Sequence, residues 1–563
     1  FTSFGVIDGP RALRSDGPVV LAARSRTRVT DHFSIGLKNS ASLDIRDSAV
    51  LNIEGSGHLN IGDTGTGDSV MRMSGGTVTT RQLFVGKNAG TSGVLLQSGG
   101  LLAKVKSPAL VDTRIGGGVE GSAETWGAWR MTGGEYTDNW NLQVGSFGVG
   151  IVEVDGGKIE VDGFLGIGRY EDDMRNAARG LLDVKSGSVT MTGAGRLLLV
   201  GEEGIGVLNI RGGLVDCINR MVIGAGTIAK PGEGTVNLLT GGTLLTNGIG
   251  QYNQTEAFGR MNFDGGTLKA RGSAMDFLKG IDYAYVRKGG ANIDTAGHDV
   301  EIGQALVAPR GNGIARIPVV DGGSGYLAPP WIEISGGAGA GATAIAELEG
   351  GMVKGITITH AGNDFLSPPT VTVMGGGAGK GLVIGTPVLA VNTSGGLVKT
   401  GEGTLTLSGA NTYPGPTQVK EGKLRLTSQI AGVVQIAAGA TFGGRGTAGS
   451  VAVAANGTLS PDVGNVLTIR GNSVIKGTLA LNISAAGTGR LDTGGKLDLK
   501  GSKLLVTSSV PSPGSPAHII ASYGSLEGEF SASEIPAGYT LDYHHNGGNQ
   551  IALVAAAARH DEH

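Results

Sequence analysis

Twin glycines recur along the first half of this chain at intervals of 23 to 34 residues. They lie at Gly75-Gly76, Gly99-Gly100, Gly133-Gly134, Gly156-Gly157, Gly212-Gly213, Gly241-Gly242 and Gly265-Gly266, and Ser186-Gly187 occupies the one gap. Most pairs are followed about ten residues later by an apolar residue plus glycine, such as Val144-Gly145. A repeat of this length predicts stacked coils rather than one globular core.

Composition supports a narrow, repetitive interior. Aromatic residues make up 5% of the 563 residues, too few for a large globular core, whereas an apolar content of 40% argues against disorder. The unit 183–210 alternates apolar and polar residues in two or three short segments, which indicates strands, and we interpret its glycine clusters as turns. We therefore predict an all-β fold, a parallel β-helix (β-solenoid), with less than about a tenth helix.

Charge and hydropathy exclude several classes of protein. The net charge of −3 and the lack of a long basic run argue against a nucleic-acid partner. The chain contains no run of 18 apolar residues, so we predict no transmembrane helix. The chain begins at Phe1, so we expect an exported protein whose signal peptide is already gone. Cys217 is the one cysteine, which rules out an internal disulfide and predicts a small buried residue.

A different pattern interrupts the repeats. Residues 319–348 recur 39 residues later as 360–383, with Tyr326 aligned to Phe365, which predicts a small duplicated β insert. The predicted organisation is a cap or arm over 1–33, a solenoid over 34–300, the insert over 301–390, a second solenoid over 391–500, and a closing segment over 501–563.

The segment 395–426, GGLVKTGEGTLTLSGANTYPGPTQVKEGKLRL, resembles the autotransporter-associated β-strand repeat of bacterial passenger domains. The matching residues are Leu397, Lys399, Gly401, Gly403, Thr404, Leu405, Leu407, Gly409, Asn411, Thr412, Tyr413, Gly415, Thr417, Val419, Gly422 and Leu424. Residues 439–462 resemble the segment that commonly follows. The resemblance implies a right-handed parallel β-helix that is secreted or displayed on the cell surface.

The end of the chain departs from that family. A full autotransporter ends in a membrane β-barrel of about a dozen strands, but after Gly501 about 60 residues remain, enough to close a solenoid. We expect a passenger-like exoprotein without the β-barrel translocator.

One acidic segment is a candidate catalytic site. Glu171, Asp172 and Asp173 interrupt a coil within GRYEDDMRNAARG, and acids on such a protrusion can carry out acid-base chemistry on polysaccharides. The alternative is a solvated loop in which neighbouring acids and arginines satisfy one another.

A cluster of tryptophans is a candidate ligand site. Trp126, Trp129 and Trp140 lie close in sequence, and aromatic faces stack on sugars. The alternative is that they pack against a coil. We predict no metal site and no cofactor, since His544-His545 lacks a third ligand and the glycine-rich segment 375–381 lacks the Ser or Thr of a phosphate loop.

The sequence favours a structural or adhesive exoprotein, extracellular or on a bacterial cell surface, that self-associates head to tail into fibres or a surface layer. Strand addition is the expected contact, and the candidate residues are Val19, Val20, Leu21, Ile551, Leu553 and Val554. A cell-surface or matrix polysaccharide is the other expected partner. The alternatives are a polysaccharide-active lyase or glycoside hydrolase and, less favoured, a phage-type receptor-binding fibre.

Overall fold

The computed structural model describes residues 2–3, 6–8, 12–105, 111–118, 125–170, 178–227, 230–252, 256–509 and 517–556. Residue contacts divide the chain into two compact units. The first unit contains 1–268, 280–285 and 309–393, and the second contains 269–279, 286–308 and 394–563.

Strands β1 to β30 precede the insert. They are β1 (Thr2–Ser3), β2 (Val6–Asp8), β3 (Ala12–Ser15), β4 (Pro18–Leu21), β5 (Arg26–Val29), β6 (His32–Ile35), β7 (Ala41–Ile45), β8 (Val50–Ile53), β9 (His58–Ile61), β10 (Asp68–Thr80), β11 (Gln82–Val85), β12 (Ser92–Lys104), β13 (Thr113–Ile115), β14 (Trp126–Asp138), β15 (Leu142–Ser146), β16 (Val149–Val161), β17 (Leu165–Arg169), β18 (Arg179–Met191), β19 (Leu198–Glu202), β20 (Ile205–Ile210), β21 (Leu214–Ala225), β22 (Glu233–Leu239), β23 (Thr243–Gly250), β24 (Phe258–Asp264), β25 (Thr267–Ala270), β26 (Ala274–Leu278), β27 (Tyr283–Val286), β28 (Ala291–Asp294), β29 (Val300–Ile302) and β30 (Leu306–Val307).

The insert and the remaining chain follow. Their strands are β31 (Asn312–Arg316), β32 (Val319–Ser324), β33 (Trp331–Ser335), β34 (Ala340–Glu349), β35 (Met352–Asn363), β36 (Thr370–Met374), β37 (Lys380–Ile384), β38 (Val388–Val391), β39 (Leu397–Thr400), β40 (Thr404–Leu407), β41 (Thr417–Val419), β42 (Lys423–Leu426), β43 (Gln429–Ile436), β44 (Thr441–Gly444), β45 (Thr447–Val453), β46 (Thr458–Pro461), β47 (Val466–Ile469), β48 (Ser473–Ile475), β49 (Thr478–Ser484), β50 (Gly487–Thr488), β51 (Arg490–Asp498), β52 (Lys503–Ser508), β53 (His518–Glu527), β54 (Ala532–Glu534), β55 (Tyr539–Asp542) and β56 (Gln550–Ala555). The described residues add one 3-10 helix, η1 (His545–Gly547), and no α-helix.

Coils of the first unit stack in parallel register. The long strands β10, β12, β14, β16 and β18 pair in that order, and the short strands β11, β13, β15, β17 and β19 form a second parallel ladder. Parallel pairing already begins with β1, which pairs with β4. The predicted all-β, parallel β-helix is confirmed.

The twin glycines lie at bends of the backbone. The pairs at 75, 99, 133 and 156 and Ser186-Gly187 lie inside continuous strands, whereas the pairs at 212, 241 and 265 separate two strands, as their interpretation as turns predicts. β10 runs through Gly75-Gly76 as one 13-residue strand, and its register with β12 shifts at the glycines. Gly76 has φ 71°, a conformation that side chains disfavour. A Cβ on Gly100 in the next coil would lie 2.5 Å from the carbonyl oxygen of Gly75, so the stacked corners also require glycine. In the five coils that contain β10, β12, β14, β16 and β18, one long bent strand therefore replaces the expected short strands.

A second glycine ladder marks another corner of the coils. Glycines pair in register at 93, 127, 150, 180, 206, 234 and 259. A Cβ on Gly206 would overlap the carbonyl oxygen of Ile167 and the amide nitrogen of Gly201. Here the chain passes so close to the preceding coil that no side chain fits.

Branched and straight aliphatic side chains fill the interior of the first unit. Met71, Met73, Val184 and Ile210 are fully buried. Cys217 is also fully buried, and burial raises the pKa of its thiol to about 11. The prediction of a small buried cysteine is confirmed.

Two imidazole rings of neighbouring coils in the first unit contact each other with their planes tilted by 51°. The ring centroids of His32 and His58 are 4.6 Å apart, and that of Phe84 lies 5.7 Å from His58. The backbone N–H of His58 donates to Nδ1 of His32 at 3.2 Å. Burial lowers the pKa of His58 to about 4, and His32, Lys87 and Arg81 lower it further.

We expect acid to destabilise the protein through His58. Between pH 6.5 and about 4 the unfolded ring takes up a proton and the folded ring does not. The stabilisation is therefore complete above pH 6.5 and is lost as the pH falls to about 4, by up to about 3 kcal/mol. Urea unfolding of the wild type and of His58→Gln over this range measures the effect. An equal pH dependence in both would contradict the prediction.

The insert belongs to the first unit, and its two sequence copies pair with each other. The first copy supplies β32, β33 and β34, and the second supplies β35, β36 and β37. The antiparallel pairs are β32 with β37, β33 with β36, and β34 with β35. Each strand of the first copy therefore pairs with a strand of the second copy. Intertwining of this kind makes one small β domain from the duplication.

The aromatic side chains that align between the two copies each pack on glycines of the other copy. Tyr326 of the first copy packs on Gly376 and Gly379 of the second, and Phe365 of the second packs on Gly339 of the first. Tyr326 is 7% exposed and Phe365 is 2% exposed. The glycines leave room for the aromatic rings of the other copy. This explains why each copy contains both an aromatic residue and glycines at equivalent positions.

The second unit is also a parallel stack. One ladder contains β28, β39, β41, β43 and β45, and another contains β29, β40, β42, β44 and β46. Lys399 is fully buried, and its Nζ donates to Oγ1 of Thr295 at 2.8 Å and to the carbonyl oxygen of Thr400 at 3.0 Å. Burial lowers the pKa of Lys399 to about 8. The buried hydroxyl of Tyr413 lies 2.7 Å from Oγ1 of Thr417.

Candidate ligand-binding groove

Side chains on the long strands alternate between the interior and the outside of the coils. In β10, Met71 and Met73 are fully buried, whereas the side chain of Arg72 is 49% exposed. Register extends this outer position across neighbouring strands, because Asp44 pairs with Arg72, Arg72 with Leu96, and Leu96 with Arg130. Residues far apart in sequence therefore form one outward column.

The insert covers part of this outer face. Trp331 and Ile345 of the insert pack in one apolar cluster with Val94, Ile151 and Leu181 of the coils. A solenoid face that is apolar on its outside needs such a cover. The insert is therefore docked on the coils of its own unit by a continuous apolar contact.

An ion network adjoins the apolar contact. Nζ of Lys185 lies 2.7 Å from Oε1 of Glu153 and 2.8 Å from Oε2 of Glu347 in the insert. Arg211 binds Oε1 of Glu347 at 2.9 Å and donates to both carboxylate oxygens of Asp183, at 2.8 and 2.5 Å. Glu347 thus bridges two cations, and Asp183 holds one of them in place.

Burial and the neighbouring charges shift the pKa values of the carboxylates in this network in opposite directions. Asp183 is fully buried, and burial raises its pKa although Arg211 favours the ionised form. Burial acts to raise the pKa of Glu347 as well, but Lys185 and Arg211 together lower it. The network is therefore costly to break at any one member.

The outward column continues in register from Arg130 through Glu153 and Asp183 to three asparagines, Asn209, Asn237 and Asn262. Nδ2 of Asn237 donates to Oδ1 of Asn209 at 2.8 Å, and Nδ2 of Asn262 donates to Oδ1 of Asn237 at 2.8 Å. Nδ2 of Asn237 also donates to Oγ1 of Thr343 in the insert at 3.0 Å. This ladder adds a polar tie between the coils and the insert.

An open depression, the arginine groove, occupies the other end of the same column. It has a volume of about 400 Å³, and its lining includes Asp44, Arg46, Arg72, Leu96, Gln97 and Arg130. Arg72 and Arg130 lie two strands apart, which corresponds to about 9.6 Å.

The arginine groove carries an excess of positive charge. Three arginines face one lining carboxylate, Asp44, whose Oδ1 lies 3.5 Å from Nη1 of Arg72. The side chain of Arg130 is 36% exposed, and its Nε lies 3.6 Å from Oε1 of Glu153. Guanidinium groups bind carboxylate and sulfate in a bidentate manner. The groove is therefore suited to an anionic, extended ligand.

The tryptophans selected from the sequence lie in three different settings. Trp126 is 5% exposed, and a Cβ on Gly375 of the insert would overlap its indole ring. Trp129 is 1% exposed and packs edge-on against Tyr136, with ring centroids 4.9 Å apart. The half-buried Trp140 has the guanidinium of Arg196 4.7 Å from its ring centroid. Sugar stacking on these rings stays a prediction.

The acidic candidates Glu171, Asp172 and Asp173 lie outside the described residues, so their catalytic role also stays a prediction. Within the described part of the chain, no three His, Cys, Asp or Glu side chains are grouped to hold a metal ion. None of the described helices has the length and hydrophobicity to cross a membrane.

The residues predicted for self-association lie in strands with partners on both sides. β4, which contains Val19, Val20 and Leu21, pairs with β1 and β7. β56, which contains Ile551, Leu553 and Val554, pairs antiparallel with β53 and β55. Self-association through these runs stays a prediction.

Sequence reasoning missed the arginine groove. In the sequence, Arg72 and Arg130 look like ordinary solvent-facing residues of a strand. The column they form becomes visible only when the long strands are aligned with one another on their twin glycines. Arg72 and Arg130 both lie three residues before the first glycine of their pair, at Gly75 and Gly133. That common offset is the signal that could have found them.

Comparison with known proteins agrees with the repeat resemblance. Residues 397–426, which contain β39 to β42, match the model of the passenger-associated-transport-repeat. The resemblance predicted from the sequence is confirmed, and the protein combines a passenger-type repeat with a parallel β-helix.

Two known proteins are similar over different lengths. An extracellular serine protease of Serratia marcescens is 37% identical over 103 residues, which are 18% of this chain and 10% of the protease. The match thus spans a tenth of the length of that relative. The crystal structure of the Haemophilus influenzae Hap adhesin aligns with 95% of this chain and 64% of that chain, at 10% identity and a TM-score of 0.21.

Proposed function

We propose that this protein is a secreted or cell-surface adhesive β-helix that binds anionic polysaccharide in the arginine groove. The observation that carries the proposal is the outward column in which Arg72 and Arg130 flank Leu96 in register. The passenger-type repeat at 397–426 supports an exported protein.

The ligand class follows from the geometry of the groove. Charges two strands apart match a polymer that carries acidic groups at regular intervals, and an open groove admits a chain without requiring a free end. Leu96 supplies an apolar surface between the two arginines, against which the C–H face of a sugar ring can pack. Carboxylated or sulfated polysaccharide combines these features.

We expect the double substitution Arg72→Ala/Arg130→Ala to weaken binding of polygalacturonate oligomers at least about a hundredfold, because two charge-assisted contacts are lost at about 1.5 kcal/mol or more each. Calorimetric titration at low ionic strength measures the affinity. The matched control is Arg24→Ala/Arg26→Ala, which removes the same charge from two exposed arginines outside the groove.

The two double variants distinguish a specific binding site in the groove from a general effect of lost positive charge. Equal affinity in the groove variant and the wild type, or equal weakening in both variants, would refute the groove as the site. Release of shortened oligomers during the titration would favour the alternative function, a polysaccharide-active enzyme.

A further inference from the structure

A second cleft lies between the insert and coils of the same first unit, apart from the arginine groove. It has a volume of about 250 Å³. The coils contribute Phe258, Tyr283 and Tyr285, and the insert contributes Arg310, Asn363 and Asp364. We call it the tyrosine cleft.

The aromatic wall of the tyrosine cleft is preorganised. Tyr283 and Tyr285 lie two residues apart on β27 and therefore on the same face, and their rings stack with centroids 5.3 Å apart and an interplanar angle of 12°. The ring of Phe258, in the neighbouring strand β24, lies 5.9 Å from that of Tyr283. Tyr285 is 4% exposed and Tyr283 is 37% exposed, so the outer tyrosine is backed by a buried one.

The polar rim faces this wall. Nη2 of Arg310 lies 3.1 Å from Oδ2 of Asp364, and both side chains are largely exposed. Oδ1 of Asn363 accepts the backbone N–H of Arg310 at 3.1 Å. Guanidinium, carboxylate and amide groups at one edge offer both donors and acceptors for hydroxyl groups.

The charges in the tyrosine cleft are balanced. Arg310 is paired with Asp364, and Arg260 is paired with Glu233 at 2.5 Å while its guanidinium lies 4.4 Å from the Phe258 ring centroid. The arginine groove, in contrast, has an excess of arginine. A neutral ligand is therefore favoured in the cleft and an anionic one in the groove.

The backbone at the rim is held in an uncommon conformation. Asp364 has φ 59°, which non-glycine residues seldom adopt. Its backbone N–H donates to the carbonyl oxygen of Arg310 at 3.2 Å, and the next N–H, of Phe365, donates to that of Asn312 at 3.0 Å. These bonds fix the carboxylate at the mouth of the cleft, and such strain is concentrated at binding sites.

We propose that the tyrosine cleft binds a neutral hexose unit of an oligosaccharide. The C–H face of the sugar stacks on Tyr283, and its hydroxyl groups hydrogen-bond to Asp364, Asn363 and Arg310. The cleft holds one sugar unit, and its open side lets the chain continue into solvent. This site is independent of the proposed binding of anionic polysaccharide.

The test uses the full chain with maltotetraose, cellotetraose and mannotetraose, each titrated to about 10 mM and followed by saturation-transfer NMR and calorimetry. At least one should bind, with the strongest transfer at ring C–H protons. We expect Tyr283→Ala and Asp364→Ala each to weaken that binding at least about tenfold, and Tyr252→Ala, at an exposed tyrosine outside the cleft, to leave it unchanged.

Circular dichroism and the melting temperature of each variant show whether the fold is kept, and Asp364→Asn provides a conservative second variant if Asp364→Ala is unstable. Absence of binding by all three oligosaccharides, or unchanged affinity in folded Tyr283→Ala, would overturn the proposal. Neutral binding that is lost in Arg72→Ala/Arg130→Ala would also overturn it by assigning the sugar to the arginine groove.

Discussion

Gly206→Ala is expected to cost at least about 3 kcal/mol of folding stability, more than the overpacking of an ordinary core position. The added methyl group would overlap the carbonyl oxygen of Ile167 and the amide nitrogen of Gly201, and neither backbone group can move without shifting a coil. Urea and thermal unfolding followed by circular dichroism measure the loss.

The matched control is Gly355→Ala, because a Cβ at Gly355 meets nothing within 4 Å and its φ is not positive. We expect that control to unfold at the wild-type midpoint or slightly above it, since alanine lowers the entropy of the unfolded chain. Equal midpoints for the Gly206 and Gly355 variants would show that the coils can separate at this corner.

Asp183→Ala is expected to cost about 3 to 5 kcal/mol, because it leaves Arg211 without the carboxylate that binds it at two points. The side chain of Arg211 is 17% exposed, so water compensates little. Because Arg211 also binds Glu347, the docking of the insert should weaken too. Proteolysis of the insert, measured beside the unfolding midpoint, separates the two effects.

The double variant Asp183→Leu/Arg211→Met is the control for this prediction. It removes both charges and fills similar volume, and Lys185 remains to pair with Glu347. We expect it to be more stable than Asp183→Ala. A double variant that is less stable than the single one would mean that the ion pair itself, rather than the unpaired cation, dominates the energy.

Much of the fold could be predicted because its signals are local. The twin glycines and the short aliphatic alternations require extended chain that bends every 23 to 34 residues, and the resemblance at 397–426 specified the same architecture independently. The duplication in the insert was equally visible, since Tyr326 and Phe365 lie in equivalent sequence contexts. The exchange of these rings between copies was not visible, because either copy could have packed on its own glycines.

The candidate sites could not be predicted in the same way. Trp126 has the sequence character of a sugar-stacking residue, but the insert packs on it. Tyr283 attracts no notice in the sequence, yet it is the outer ring of the tyrosine cleft. Whether an outward side chain reaches solvent depends on where the insert is docked, and no local pattern contains that information.

The sequence by itself determined a parallel β-helix, the duplication within its insert and the burial of Cys217, because each follows from residue type and spacing along the chain. The tertiary structure alone decided the glycine ladder through Gly206, the column from Asp44 to Arg130 and the face that the insert covers. The physical reason is register. The twin-glycine spacing varies from 23 to 34 residues, so coils of unequal length bring residues side by side through backbone hydrogen bonds between strands rather than through a fixed sequence interval.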